Sequence, residues 1–167
     1  MFAPKREPIA LVPKVDLQRF MGDWYEIGFT PIYFVRDAHN GVESYTLNPD
    51  GTVGTVYRYR DGGFDGPLKT HRPKGFVVPD TGNALWGMQF VWPFKGEYRI
   101  AHLEPDYSVT IIARNARDYV WLMARDPEMS DTDFERYRAM IGRMGYDLSK
   151  FKRHPQRWPE AEARPPL

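Results

Sequence analysis

Asp16-Leu17-Gln18-Arg19-Phe20-Met21-Gly22-Asp23-Trp24-Tyr25-Glu26-Ile27-Gly28-Phe29 is a polar turn that runs directly into an aromatic, strand-like segment. Gly22 stands at the junction and reads as the hinge. From Asp23 onward the residue types favour a pleated surface. Period-two alternation then places Trp24, Glu26 and Gly28 on one face and Tyr25, Ile27 and Phe29 on the other. Large side chains on both faces need cover on both faces. One face is therefore expected inside a barrel or sandwich, the other under a helix or second layer.

Downstream, segments of alternating, β-branched and aromatic residues are separated by turn signals. Strands are expected at Val42–Leu47 and Thr52–Tyr59, then near Lys69–Val78, Ala84–Trp92, Glu97–Leu103, Ser108–Ala113 and Tyr119–Arg125. Asn48-Pro49-Asp50-Gly51 is the strongest hairpin signal, because Pro presets one turn dihedral and Gly accepts a positive φ. Spacing of roughly ten residues with short connections is the up-and-down pattern. The predicted fold is all-β: an eight-stranded antiparallel up-and-down barrel, whose closure removes both sheet edges, with a flat sandwich as the alternative. After the strands, Ser130 reads as an N-cap with Asp131 and Asp133 in the first turn. Phe134, Tyr137, Ile141 and Met144, with Met140 beside them, form one apolar stripe of a helix that packs outside the barrel and ends at Gly145. Residues 1–14, with Pro4, Pro8 and Pro13, are expected as an extended arm, 15–151 as barrel plus helix, and 152–167 as a Pro- and charge-rich, loosely ordered tail.

Gly22-Asp23-Trp24-Tyr25-Glu26-Ile27 resembles the opening motif of the lipocalins, and Val15-Asp16-Leu17 with Phe20 resembles the bacterial branch of that family. Two later blocks agree in order and spacing. Asp106-Tyr107 resembles the second lipocalin motif, and Arg117-Asp118-Tyr119-Val120-Trp121-Leu122-Met123-Ala124-Arg125 the third. The resemblance covers roughly Val15 to Phe151. It implies that Arg125 lies over the ring of Trp24, and that the first connection is a long lid over the open end. Thr30–Asn40, an apolar loop with Ile32, Tyr33, Phe34 and Val35, has the composition for such a lid. For the bacterial branch the resemblance also implies a cell-envelope location, periplasm or outer membrane, often through a lipidated cysteine near the N-terminus. No such cysteine is present, and the first residues lack the uninterrupted apolar core of a signal peptide, so a trimmed form and a member not anchored that way both stay open.

Composition narrows the classes further. The 167 residues are 42% hydrophobic and 27% charged, which is ordinary for one globular domain. Aromatic residues make up 15% of the chain, and 15 Pro and 14 Gly favour short strands with many turns. Lys plus Arg exceed Asp plus Glu by 23 to 22, so no global field draws the chain to nucleic acid. With no cysteine there is neither disulfide nor thiol nucleophile. His39, His71, His102 and His154 do not fall at zinc-ligand spacing. His102, on the face of Tyr98 and Ile100, is the sole candidate for an axial haem ligand. No Gly-x-Ser-x-Gly elbow occurs. No cofactor and no metal are expected.

With Trp24 turned inward, alternation turns Glu26 inward as well. Aligning Tyr45 with the family's inward tyrosine does the same for Glu43. Two carboxylates in one cavity read either as an acid/base pair or polar anchor, or as structural groups satisfied by backbone and tyrosine donors. Tyr45, Tyr57, Phe76, Trp86, Phe90, Tyr98 and Trp121 are the expected aromatic lining, with Ile32, Tyr33 and Phe34 at the mouth. Gly22, Trp24, Asp106, Tyr107 and Arg125 are the expected structural motif. The predicted function, which rests on the resemblance for its ligand class, is non-catalytic carriage or storage of a small hydrophobic or amphiphilic molecule such as a fatty acid or lysophospholipid. An isomerase or cyclase on the same barrel, and an envelope interaction protein with no stoichiometric ligand, are the alternatives. Lys150, Lys152, Arg153, His154 and Arg157 with Phe151 and Trp158 read as a solvated tail or a membrane-surface patch. A second copy of the chain is the other partner considered.

Overall fold

The computed structural model describes residues 6–32 and 37–160. Ten strands follow a short helix: α1 (Leu17–Phe20), β1 (Gly22–Phe29), β2 (Ala38–Leu47), β3 (Val53–Asp61), β4 (Leu68–His71), β5 (Lys74–Val77), β6 (Leu85–Val91), β7 (Phe94–Leu103), β8 (Val109–Ala113) and β9 (Trp121–Ala124), then helix α2 (Asp131–Arg143) and β10 (Lys152–Arg153). Every pairing is antiparallel, and β1 bonds to both β2 and β9, which closes the sheet. β4 and β5 are two halves of one expected strand, both paired with β3. The break falls at Arg72–Pro73, because Pro has no N–H to give a ladder. The Pro73 carbonyl still accepts from the Thr55 N–H at 3.2 Å. Counted this way the wall has the eight strands expected, with α2 packed against it.

The hairpin at Asn48-Pro49-Asp50-Gly51 forms as expected, with φ of +85° at Gly51 and its N–H donating to Asn48 O at 3.0 Å. The Ser130 hydroxyl caps α2 by accepting from the Asp133 N–H at 3.1 Å. Phe134, Tyr137 and Ile141 of α2 are buried with Ile27, Val109, Ile111 and Leu122 of the outer wall. Three such side chains contribute on the order of 5 to 9 kcal/mol before ordering entropy. Gly145, at φ +100°, lets the chain turn away past the helix end.

Strict alternation fails at two bulges. Between Glu26 and Gly28 the β1–β9 register shifts, so Ile27 and Gly28 both face α2 and Phe29 turns into the barrel. Gly28 is outside, not beside Glu26, because an extra residue in one strand swaps the faces beyond it. A second shift between Ile100 and His102 turns His102 outward, where Nε2 lies 3.1 Å from Glu104 Oε1 and the ring 5.8 Å from that of Tyr137. His102 therefore does not share the inward face of Tyr98 and Ile100.

Both ends of the described chain lie on the barrel. Arg99 donates twice to Ile9 O, at 3.1 and 2.9 Å, and the Val12 N–H donates to Ile100 O at 3.0 Å. Residues 152–160, the described part of the expected tail, are not the loosely ordered, solvated stretch expected of its composition. β10 pairs with the upper end of β1, the His154 N–H donates to Ile27 O at 2.8 Å, and Phe151 and His154 are buried. Arg153 lies over Phe134 and Arg157 over Phe64, while Lys152, Arg153, Arg157 and Trp158 stay exposed, so of the group read as a solvated tail or a membrane-surface patch only Phe151 and His154 are withdrawn from the surface.

Candidate functional site

The closed end of the barrel is solid. Asp16 accepts from the N–H groups of Gln18 and Arg19, forming the turn that drives Phe20 up into the barrel floor. Phe20 meets Trp24, Tyr45 and Trp86 at ring distances of 5.0, 5.8 and 5.5 Å, and Trp86 stacks on Tyr98 at 4.6 Å. The three motif blocks converge beneath this plug. The Arg125 guanidinium lies 3.8 Å from the Trp24 ring centre and donates to the carbonyls of Asp23, Arg19, Phe20 and Met21 at 2.8, 2.8, 3.1 and 2.9 Å. Tyr107 accepts from the Asp16 N–H at 2.9 Å and lies under Arg19, while Asp106 accepts from the Ser108 N–H at 3.0 Å. Gly22 adopts φ +94° beside Arg125, a left-handed conformation that suits glycine.

Above the plug is a hollow of about 70 Å³ walled by Glu26, Phe29, Ile32, Glu43, Tyr57, His71, Phe90 and Trp121. An adjoining space of about 60 Å³ shares Glu43, Phe90 and Trp121 and adds Met88, Tyr98, Ile112, Arg114 and Met123. Each has room for a few waters. The broader cleft of about 880 Å³ between Asp126–Ser130 and the tail lies outside the barrel and is open to solvent.

The polar part of the hollow is built across β1 and β2. Glu43 stands opposite Trp24 in the ladder, and Glu26 lies two residues further along on the same face, so the carboxyls are diagonal neighbours. Tyr57 donates to Glu26 Oε2 at 3.0 Å, Tyr45 donates to Glu43 Oε2, and the Tyr45 and Tyr98 hydroxyls bond each other at 2.8 Å. Behind Glu26 sits His154. Its Nε2 accepts from the Gly41 N–H at 2.9 Å, which leaves the ring proton on Nδ1, 3.3 Å from Glu26 Oε2. Burial pulls the His154 pKa down to about 3, so the imidazole is neutral. Burial, followed by the charge of Glu43, pushes Glu26 up to about 8, and burial pushes Glu43 up to about 7. Near neutral pH the pair therefore keeps at least one proton, held chiefly on Glu26, and can offer a hydrogen bond to a polar group lodged between the two carboxyls.

The structure brings Glu26, Ile32, Glu43, Tyr57, Phe90, Tyr98 and Trp121 to the hollow. Tyr45 and Trp86 point inward but belong to the plug. Phe76 does not line the cavity. Gly75 faces Val53 and Trp86, so alternation turns Phe76 outward, where Lys95 Nζ lies 3.8 Å from its ring centre. Tyr33 and Phe34, with Val35 and Arg36 of the expected lid, lie outside the described residues, while Ala38–Asn40 at its far end belong to β2 and not to a loop. Phe29, His71, Met88 and His154 were missed. Phe29 depended on the bulge. Nothing beside His154 in sequence marks it; room for its imidazole next to the Glu26 carboxyl comes from Gly41, 113 positions away, which has no side chain. Among the described residues no three metal-ligating side chains cluster.

Residues 15–156 match the family model described as a lipocalin-like domain. The chain is 28% identical to temperature-induced lipocalin-1 of Arabidopsis thaliana, over 91% of this chain and 85% of that one. It is 27% identical to the outer membrane lipoprotein Blc of Escherichia coli K12, over 86% and 80%. In structure it is similar to insecticyanin of Manduca sexta, with a TM-score of 0.67 at 15% identity over 92% and 85% of the two chains. Apocrustacyanin C2 superposes with a TM-score of 0.64 at 16% identity over 86% and 81%. With the closed barrel, the outer helix and the Trp24–Arg125 junction in place, the chain belongs to the lipocalin family.

Proposed function

We propose that this protein binds and carries or stores a small amphiphile of the fatty-acid or lysophospholipid kind, in the hollow above the plug. The observation that carries this reading is the pairing of aromatic and aliphatic walls, Phe29, Ile32, Phe90 and Trp121, with the diagonal carboxyls Glu26 and Glu43. The apolar part of the ligand lies against the former, and its polar group bonds the latter. Each buried methylene contributes about 0.8 kcal/mol before the entropy of holding the chain. The plug limits how deep a chain reaches, so a long acyl tail extends past Phe90 toward the mouth. An envelope location is supported by the bacterial relatives that carry the name outer membrane lipoprotein.

Mass spectrometry of lipids extracted from the purified protein tests the reading. An amphiphile recovered at about one per chain, and displaced from a Trp121→Phe variant with altered affinity, is the expected result. Protein that carries no ligand and fails to bind any of a series of alkyl alcohols, acids and lysolipids would overturn it.

A further inference from the structure

The β6–β7 hairpin carries a run of apolar side chains that nothing among the described residues covers. Phe90, Val91, Trp92 and Phe94 are 66, 69, 81 and 77% exposed, and Leu68 on β4 is 51% exposed. Scattered apolar residues on a surface are ordinary, whereas large ones contiguous at one tip mark a contact site. The tip stands at the open end, since Phe90 belongs both to the exposed run and to the hollow. It also borders the weakest part of the wall. β4 bonds only to β3, and the last β5–β6 pair is Lys74 with Gln89, so no ladder joins Leu68–His71 to the upper end of β6. His71 and Phe90, one from each side of that gap, both line the hollow.

The charge along the two segments of this face, residues 66–79 and 84–96, is positive, with Asp65, Asp80 and Glu97 just beyond their ends. They contain Lys69, His71, Arg72, Lys74 and Lys95 and neither Asp nor Glu. Lys74 reaches down toward Asp50 at 3.9 Å and Lys95 over the Phe76 ring at 3.8 Å, while Lys69 and Arg72 make no ion pair among the described residues. Apolar side chains with an aromatic tip, inside a collar of cations, match the two layers of an anionic lipid surface: acyl chains for the tip, phosphates for the collar. A second copy of the chain fits poorly, because a two-fold contact through this face would bring the two collars together.

We propose that the β6–β7 hairpin, with the exposed edge of β4, docks this protein on an anionic lipid bilayer and sets the mouth of the hollow against it. Docking does not depend on the proposed ligand. The transfer of an amphiphile between bilayer and hollow does rest on that reading.

The test uses the full chain and vesicles of phosphatidylcholine alone or mixed with phosphatidylglycerol. The wild type is expected to float with the mixed vesicles, to bind them less as salt rises, and to show a blue-shifted Trp92 emission. The double variant Trp92→Ser, Phe94→Ser changes only exposed positions, so circular dichroism should be unaltered, and vesicle binding should fall by at least about tenfold. Reversing the collar with Lys69→Glu, Arg72→Glu and Lys95→Glu should remove the preference for phosphatidylglycerol. Wild type that ignores both vesicle types, or a folded apolar variant that binds as well as wild type, overturns the proposal. Self-association in the ultracentrifuge that the apolar variant abolishes, with no vesicle binding, overturns it in favour of a second copy. An anthroyloxy fatty acid loaded on the protein should move to vesicles faster as their concentration rises, and the apolar variant should lose that dependence. Flotation without uptake of the probe would leave docking standing and overturn the ligand reading and the transfer role with it.

Discussion

The main-chain N–H of Gly41 donates to Nε2 of His154 at 2.9 Å, and the same imidazole presents Nδ1 to Glu26 Oε2 at 3.3 Å. A residue from beyond the last barrel strand thus backs a carboxyl inside the barrel. A Cβ on residue 41 would lie 2.6 Å from Glu26 Oε2 and 2.8 Å from His154 Nε2. Gly41→Ala should therefore destabilise the fold by about 1 to 3 kcal/mol. His154→Ala, which leaves the Gly41 N–H without its acceptor, should do so by a similar amount. Urea unfolding checks both, and a wild-type midpoint for His154→Ala would show that the tail is not part of the wall.

Stability should depend on pH in two opposed ways. Glu26 and Glu43 sit above their ordinary value of 4.5, at about 8 and about 7, so the folded chain keeps protons that the unfolded chain gives up. Their contribution is full below pH 4.5 and is lost as pH rises to about 7 for Glu43 and about 8 for Glu26. His154 sits below its ordinary 6.5, at about 3, so stability also falls as pH drops from 6.5 toward 3. Above pH 6.5 only the carboxyls act, and the unfolding free energy should decline toward pH 8 by at most about 1.4 kcal/mol per unit for each group. Glu26→Gln should flatten this decline. A wild-type stability that climbs over that interval would contradict the assignment.

Arg125 combines a ring contact with donation to four carbonyls, three at the end of α1 and one at the start of β1. Arg125→Ala strips those acceptors of their donor and should lower stability by about 2 to 4 kcal/mol, with the effect read as a fall in Tm. Arg125→Lys should recover less than half, because one ammonium cannot reach a planar fork's partners. Affinity for an amphiphile should be little changed in protein that remains folded, since Arg125 is absent from the walls of the hollow.

Gly28 faces Phe134 and Phe151 across the outer wall, and a Cβ there would lie 2.9 Å from Phe134 Cε2 and closer still to the Phe151 ring. Gly28→Ala should loosen α2 and the chain after it, with a loss of about 1 to 3 kcal/mol and faster amide exchange in α2. Had Gly28 faced the cavity, the same change would have altered ligand affinity and spared the helix.

The readable parts of this fold were those with a local cause. The cap at Ser130, the turn at Asn48–Gly51 and the stripe Phe134, Tyr137 and Ile141 each follow from neighbours in sequence, and each forms where the residues place it. What alternation misplaced were Gly28 and Phe29, beyond the Ile27 bulge, and His102, beyond the shift at Ala101. A bulge is one extra residue measured against a partner strand, and a single strand read alone carries no count of its partner. Tyr45 and Trp86 were recognised as inward, but whether an inward ring lines a hollow or fills it depends on what rises from below, here Phe20. His154 looked like solvated tail because its two partners, Gly41 and Glu26, lie more than a hundred residues away.

The Phe20, Trp24, Trp86 and Tyr98 plug has a consequence for how this protein can change. Most of the tightly interlocked aromatic mass lies in the lower storey with the family's signature residues, while the walls of the hollow sit one storey up, beside a gap that no ladder closes. Variation in Ile32, Phe90 or His71 can thus retune what is held without touching the part that keeps the barrel shut. Foundation and furnishing are separate tenancies in one shell, and the shape of the hollow can be altered by substitutions at the rim alone.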